Sequence, residues 1–162
     1  MARKPGEKQQ VSAYDKALGL LARREHSARE LKSKLARRGL DRDESALAVE
    51  KLQAKDFQND ARFGEMLVRS RIHGGYGPRW ISAELKTHGI SEGAARALIE
   101  AAEPNWLDLA RSVLGRRYAK PAATLAERSK RAAFLLRRGF DASTAKLAAG
   151  DSGIAESPDE AD

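Results

Sequence analysis

Arginines in pairs are what this sequence offers a partner. Arg37-Arg38, Arg116-Arg117 and Arg137-Arg138 stand as doublets, and Arg69 and Arg71 lie two apart in the middle of the chain. Each group falls near the end of a predicted helix. A guanidinium is a planar fork of donors that meets a phosphate or a carboxylate through two hydrogen bonds. One such pair needs no ligand, because a cation in the last turn of a helix gains about 0.3–1 kcal/mol from the helix dipole. The recurrence of the pattern, with Arg23-Arg24 as a further doublet, points instead to an anionic partner. The charge balance agrees. The 162 residues carry 30 Lys plus Arg against 23 Asp plus Glu, a net of +7, and five of the acids fall in the last twelve residues, DSGIAESPDEAD. Setting those five aside leaves +12 on residues 1–150. That excess suits nucleic acid or an acidic protein surface. The candidate contact residues are therefore Arg37, Arg38, Arg69, Arg71, Arg116, Arg117, Arg137 and Arg138.

Other chemistries find no constellation. There are no cysteines, so thiolate metal sites and disulfides are excluded. His26, His73 and His88 are forty-seven and fifteen residues apart, with no HExxH spacing or carboxylate cluster, so no metal site is expected. No serine or lysine sits in a nucleophile motif. Asp41 with Asp43 and Asn59 with Asp60 read as helix caps. The expectation is a protein that is not an enzyme and holds no cofactor. Gly74-Gly75-Tyr76-Gly77 lacks the glycine-lysine-serine/threonine ending of a phosphate-binding loop, and no strand leads into it. It reads as a corner between antiparallel helices. Tyr76 and Trp80 beside it have two readings: stacking on a base, or packing in a core or interface.

The elements that must position these residues are helices in a repeat. Gly39, Gly89 and Gly139 are spaced by fifty positions; Leu35, Leu85 and Leu135 precede them by four, and Leu40, Ile90 and Phe140 follow by one. Asp41, Ser91 or Asp141 comes next, each a good N-cap. Each unit then reads helix, helix, glycine stop, apolar residue, cap, helix, the mark of a helical repeat array. Apolar residues recur at i, i+3, i+4 and i+7 in Tyr14, Ala17, Leu18 and Leu21, and again in Trp106, Leu109, Ala110, Val113 and Leu114. Phe63, Met66 and Leu67 share a face, as do Ile81 and Leu85. Ala95, Leu98, Ile99 and Ala102 form a stripe. A helix from about Arg42 to Asp56 is expected to bury Val49, Leu52 and Phe57. Ser27–Glu30 and Thr124–Glu127 read as capping boxes. Pro78 suits the first turn of a helix, and Pro121 is expected to stop the one before it. Ala132, Leu135 and Leu136 face the third core, and the last helix offers only Ala145, Leu147 and Ala148. No strand alternation is present.

The fold expected is all-α, three tandem three-helix repeats in an elongated, curved array. Residues 1–12 form a flexible arm, 13–57, 58–104 and 105–150 the repeats, and 151–162 a disordered acidic tail. With no apolar signal core or membrane-length run, the protein is placed in the cytoplasm.

Laid out this way, the chain resembles the RecX family of bacterial regulators over nearly all of residues 14–150. The lead-in LQAKDF, then DARFGEMLVRSR and GGYGPRWISAELKTHGI, carry the most specific part of the likeness. REHSARELKSKLARRGLD and RSKRAAFLLRRGFD match in the same order in the units on either side. The resemblance implies a regulator that lies along the groove of the RecA–DNA filament and inhibits its recombinase, ATPase and coprotease activities, in homologous recombination, DNA repair and the SOS response; a monomer is expected. It implies binding to single- and double-stranded DNA as a secondary property. The alternative is a non-specific nucleic-acid-binding module acting without a protein partner. Three features depart from the family pattern: Arg131 stands where Leu31 and Ile81 stand in the other units, the last helix is thin, and an acidic tail follows it.

Overall fold

The computed structural model describes residues 11–150; the N-terminal arm up to Gln10 and the acidic tail lie outside the described residues. Among those described, every regular element is a helix. They run α1 Ala13–Leu21, α2 Ala28–Arg37, α3 Arg42–Ala54, α4 Asp60–His73, α5 Pro78–Thr87, α6 Glu92–Ala101, α7 Trp106–Arg117, α8 Leu125–Arg137 and α9 Ala142–Gly150. They fall into two compact units divided between Phe63 and Gly64.

The three-fold grammar is written in the caps. Gly39, Gly89 and Gly139 take φ of +76°, +80° and +90°, the left-handed conformation that ends a helix at little cost only for glycine. The apolar residue that follows each glycine then donates its amide back into the helix: Leu40, Ile90 and Phe140 bond to the carbonyls of Leu35, Leu85 and Leu135. Next, Asp41 accepts from the amides of Asp43 and Glu44, Ser91 from that of Ala94, and Asp141 from that of Thr144. Each cap satisfies donors that the first turn of a helix would otherwise leave orphaned. Asp141 also accepts from the hydroxyls of Ser143 and Thr144. The hydroxyl of Ser143, the amide of Thr144 and its hydroxyl hold the Asp141 carboxyl down to a pKa of about 2.

The first unit closes on Ala17, Leu20, Leu31, Leu35, Val49 and Leu52, with Tyr14, Leu18 and Leu21 packed against its edge. Leu20 is the residue that α1 buries most deeply after its alanines, in place of the expected Leu21. Phe57, expected inside, is 49% exposed. The helix α3 ends at Ala54, and Asp56 turns into positive φ, carrying Phe57 off the buried face. In the second unit α4, α5 and α6 bury Leu67, Val68, Ile81, Leu85, Ile90, Ala95 and Ile99. Ala102, expected on that stripe, is the exposed C-cap of α6. The helices α7, α8 and α9 close around Ala110, Val113, Leu114, Leu135, Phe140, Ala145, Ala148 and Ala149. Here Leu136 and Leu147 are exposed rather than inside. Alanines at 145, 148 and 149 let α9 approach its neighbours closely, so a thin helix still buries a complete face. Pro121 does not set the end of α7, which stops four residues earlier at Arg117 as Tyr118 goes extended.

At Thr124 both halves of the capping box form, the hydroxyl accepting from Glu127 and the Glu127 carboxylate accepting from the amides of Ala123 and Thr124. At Ser27 the hydroxyl accepts from the amide of Glu30, and the Glu30 carboxylate meets Arg24 and, at 3.2 Å, Lys34 Nζ.

Candidate nucleoprotein interface

The eight arginines named from sequence do not share one fate. Arg37 closes the last turn of α2 and Arg38 is its C-cap, both exposed. Arg69 is exposed on α4; Arg116, Arg117 and Arg137 are exposed in the last turns of α7 and α8. Arg71 is different. It faces Glu84 across α4 and α5, with Nε and Nη2 each 2.6 Å from a carboxylate oxygen. The hydrogen bonds that Arg71 donates to Glu84 hold the guanidinium pKa above its ordinary value. The Nε–Nη2 edge of the guanidinium is therefore committed inside the fold, which withdraws Arg71 from the set of fully open cations. Arg138 is half-committed. Its Nη1 donates to the carbonyl of Gly74 at 3.1 Å, and its guanidinium lies 4.7 Å over the ring of Tyr76 and 5.5 Å over that of Phe134.

The second unit gathers several of these groups around the glycine-rich corner between α4 and α5. A Cβ placed on Gly75 would lie 3.7 Å from Arg116 Nη2 and 4.0 Å from Arg138 Nη1, so two guanidinium groups converge there. Arg117 lies over Phe134, 4.6 Å from the ring centre. Arg37 and Arg38 belong to the first unit. No acidic side chain among the described residues pairs with Arg37, Arg38, Arg69, Arg116 or Arg137, so the fold does not commit these guanidinium groups to an ion pair.

Glycine makes the corner possible by close approach. Gly77 N–H donates to the Arg138 carbonyl at 2.8 Å, and Arg79 N–H donates to the Gly139 carbonyl at 3.0 Å. A Cβ on Gly77 would collide with the backbone of Gly139 and Phe140, and one on Gly139 with the backbone of Trp80. The α4–α5 corner thus docks onto the α8–α9 corner backbone to backbone. Beside it Tyr76 and Trp80 stack, ring centres 5.0 Å apart and 27° from parallel. They form one wall of an open groove of about 620 Å³, completed by Arg71, Ala83, Glu84 and Thr87. Trp80 remains 45% exposed.

Sequence reasoning did not find this groove, because it depends on which face of α5 is left uncovered. Nor did it give Arg131 its role. At the position of Leu31 and Ile81, Arg131 is buried, its Nη2 donating to the Lys120 carbonyl at 2.6 Å and its guanidinium 4.4 Å over Tyr118. The break in the apolar register was the available signal. Among the described residues no group of three or more His, Asp or Glu is placed to hold a metal ion. No helix there is long and apolar enough to cross a membrane.

Among the described residues, nine helices in three consecutive triplets, each built on the same glycine stop and cap, define an all-helical tandem-repeat protein. Residues 13–59, 59–102 and 103–148 match in turn the first, second and third three-helix domains of RecX. The chain belongs to the RecX family. It is 44% identical over 147 residues to a regulatory protein RecX of Stenotrophomonas maltophilia, covering 90% of this chain and 88% of that one. A regulatory protein RecX of Xanthomonas campestris pv. campestris is 43% identical over 134 residues, covering 82% and 83%. Two crystal structures share the fold. That of a regulatory protein RecX superposes with a TM-score of 0.73 and 22% identity over 86% of this chain and 70% of the other. That of RecX from Lactobacillus salivarius gives 0.69 and 22%, over 84% and 91%.

Proposed function

We propose that this protein is a cytoplasmic regulator that binds along the groove of the RecA–DNA filament and restrains its recombinase, ATPase and coprotease activities. The observation that carries the reading is the family match in all three three-helix domains, to relatives named as regulatory proteins. The chemistry of the surface supports it. Arg37, Arg38, Arg69, Arg116, Arg117 and Arg137 are exposed, and they come from both units. A filament groove lined by protein and DNA backbone offers carboxylates and phosphates at regular intervals. Modules joined in one chain gain avidity from effective concentration even where each contact is weak. In this reading the working modules are residues 13–57, 58–104 and 105–150, acting together as a monomer.

The test is RecA ATP hydrolysis on single-stranded DNA with substoichiometric protein. Inhibition under those conditions is expected, because one bound regulator restrains several subunits. Inhibition only at amounts that coat the DNA would overturn the reading in favour of plain competition for nucleic acid. In that case binding follows phosphate neutralisation, with affinity falling on a log–log salt plot by about 0.9 per duplex phosphate contacted.

A further inference from the structure

We propose that the groove between Tyr76, Trp80 and the Arg71–Glu84 pair is a stacking seat for a base of single-stranded nucleic acid. It rests on the reading above only in its nucleic-acid part. Trp80, Ala83, Glu84 and Thr87 stand at i, i+3, i+4 and i+7 of α5 and so share one helical face. That face carries a 45% exposed indole in a protein with two tryptophans and a 6% aromatic content. An exposed indole already backed by a stacked tyrosine at 5.0 Å is preorganised, since its ring is held by Tyr76 on one side and by the glycine corner beneath its backbone. The groove, about 620 Å³, is within the range of about 300–1,000 Å³ that holds small organic ligands.

Charge decides between a base and an apolar peptide side chain. The one carboxylate in the groove, Glu84, is consumed by Arg71 through two bonds of 2.6 Å, so no open negative charge faces a phosphate there. Around the same corner Arg116 and Arg138 converge on Gly75, and Arg138 covers Tyr76 at 4.7 Å. A flat π-face with guanidinium groups alongside is what a nucleotide asks for: a surface for its base and donors for its phosphates. Stacking of this kind is blind to base identity, because every base has a face, and it needs an unpaired base. The seat therefore discriminates single strands from duplex rather than one sequence from another.

The experiment titrates oligo(dT) into the full-length protein without RecA, following tryptophan emission and oligonucleotide anisotropy together, in wild type and in W106F. Quenching that saturates with the anisotropy is expected, and it needs no variant at position 80. W80A is expected to weaken oligo(dT) about five- to hundred-fold, with W80F retaining most of the affinity. The log–log salt slope should stay as in wild type, because no phosphate contact is removed. An abasic oligonucleotide should bind wild type only as tightly as oligo(dT) binds W80A. Unchanged emission at saturating oligonucleotide would overturn the proposal, and so would full affinity in a W80A protein with native circular dichroism. If W80A keeps oligo(dT) binding but loses inhibition of RecA ATP hydrolysis, the groove takes a protein segment: the base seat falls and the filament reading stands. If W80A loses oligo(dT) while wild type leaves RecA untouched, the seat stands and the filament reading falls.

Discussion

The joint inside the first unit and the joint inside the second use equivalent positions in opposite ways. Glu25, His26 and Ser27 lie fifty residues before Gly75, Tyr76 and Gly77. In the first unit this corner is tied to the start of α4 by polar side chains. Asp60 accepts from the Ala28 amide and from Gln58 Nε2, each at 2.9 Å, Gln58 Nε2 also donates to the His26 carbonyl at 3.1 Å, and Arg62 Nε meets Glu25 at 2.5 Å. In the second unit the corner has lost those side chains and the backbones touch directly at Gly77 and Gly139. Side-chain bridges of this kind respond to salt and pH, whereas a backbone contact responds to volume. One repeat grammar has thus produced one joint held mainly by charged and polar side chains and one held mainly by close backbone contact.

The comparison breaks most severely at Gly77. Its φ of −85° suits any residue, so the effect of G77A is steric: the new methyl would strike the backbone of Gly139 and Phe140. Backbone cannot swing aside as a side chain does, and overpacking costs about 1–3 kcal/mol even where side chains yield. G77A is expected to lower the stability of residues 64–150 by about 3 kcal/mol or more. Amide exchange should rise across α5 to α9 while α1 to α3 keep their protection; loss of protection spread evenly over both units would erase the contrast. A smaller effect on the same joint comes from R138A. That change removes a cation from over Tyr76 and a bond to the Gly74 carbonyl, together about 1–2 kcal/mol. R138K should recover little of it, because an ammonium cannot lie flat on the ring. Thermal unfolding checks both.

In the first unit the corresponding test is D60A. It leaves the Ala28 amide, at the start of α2, without its acceptor, and loss of a helix cap costs about 1 kcal/mol. Equal amide exchange at Ala28 in wild type and D60A would show that the contact carries no weight.

The fold was legible because it is periodic and punctuated. Glycines at fixed spacing, each followed by an apolar residue and a cap, leave one local solution, and backbone hydrogen bonds enforce it three times. The corrections fall where tertiary packing chooses among apolar residues. Phe57 and Leu147 have the right chemistry for burial and the wrong azimuth, while Ala145, Ala148 and Ala149 do the burying because α9 sits so close. The arginines were legible as a class. Their division was not, because Arg71 is withdrawn by Glu84, thirteen residues away, and Arg131 by the carbonyl of Lys120 and the ring of Tyr118. Spacing gives the charge of a surface but not which charges the fold has already used.

The mildest difference between the joints is their response to acid. His26 is buried, its Nδ1 3.0 Å from the Arg24 carbonyl and its Nε2 3.1 Å from Lys34 Nζ. The carbonyl can only accept and the ammonium can only donate, so the neutral ring carries its proton on Nδ1. Burial holds the His26 pKa below its ordinary value of 6.5, and Arg24 and Lys34 add to the depression against the raising influence of the Arg24 carbonyl and Glu30. The unfolded chain therefore takes up the proton first, and stability falls as pH drops below about 6.5, levelling once the folded ring also protonates. Glu30 acts in the same direction at lower pH. Burial pushes its pKa up, but hydrogen bonds from Arg24 and Lys34 bring it below the ordinary 4.5, so its contribution is present above that value and lost beneath it. Exchange protection in α1 to α3 should weaken between pH 7 and pH 5.5 in wild type. In H26Q the dependence over that window should flatten, because no ring remains to be charged against Lys34. A wild-type first unit equally protected at both pH values would show that the polar joint is no more responsive than the glycine one.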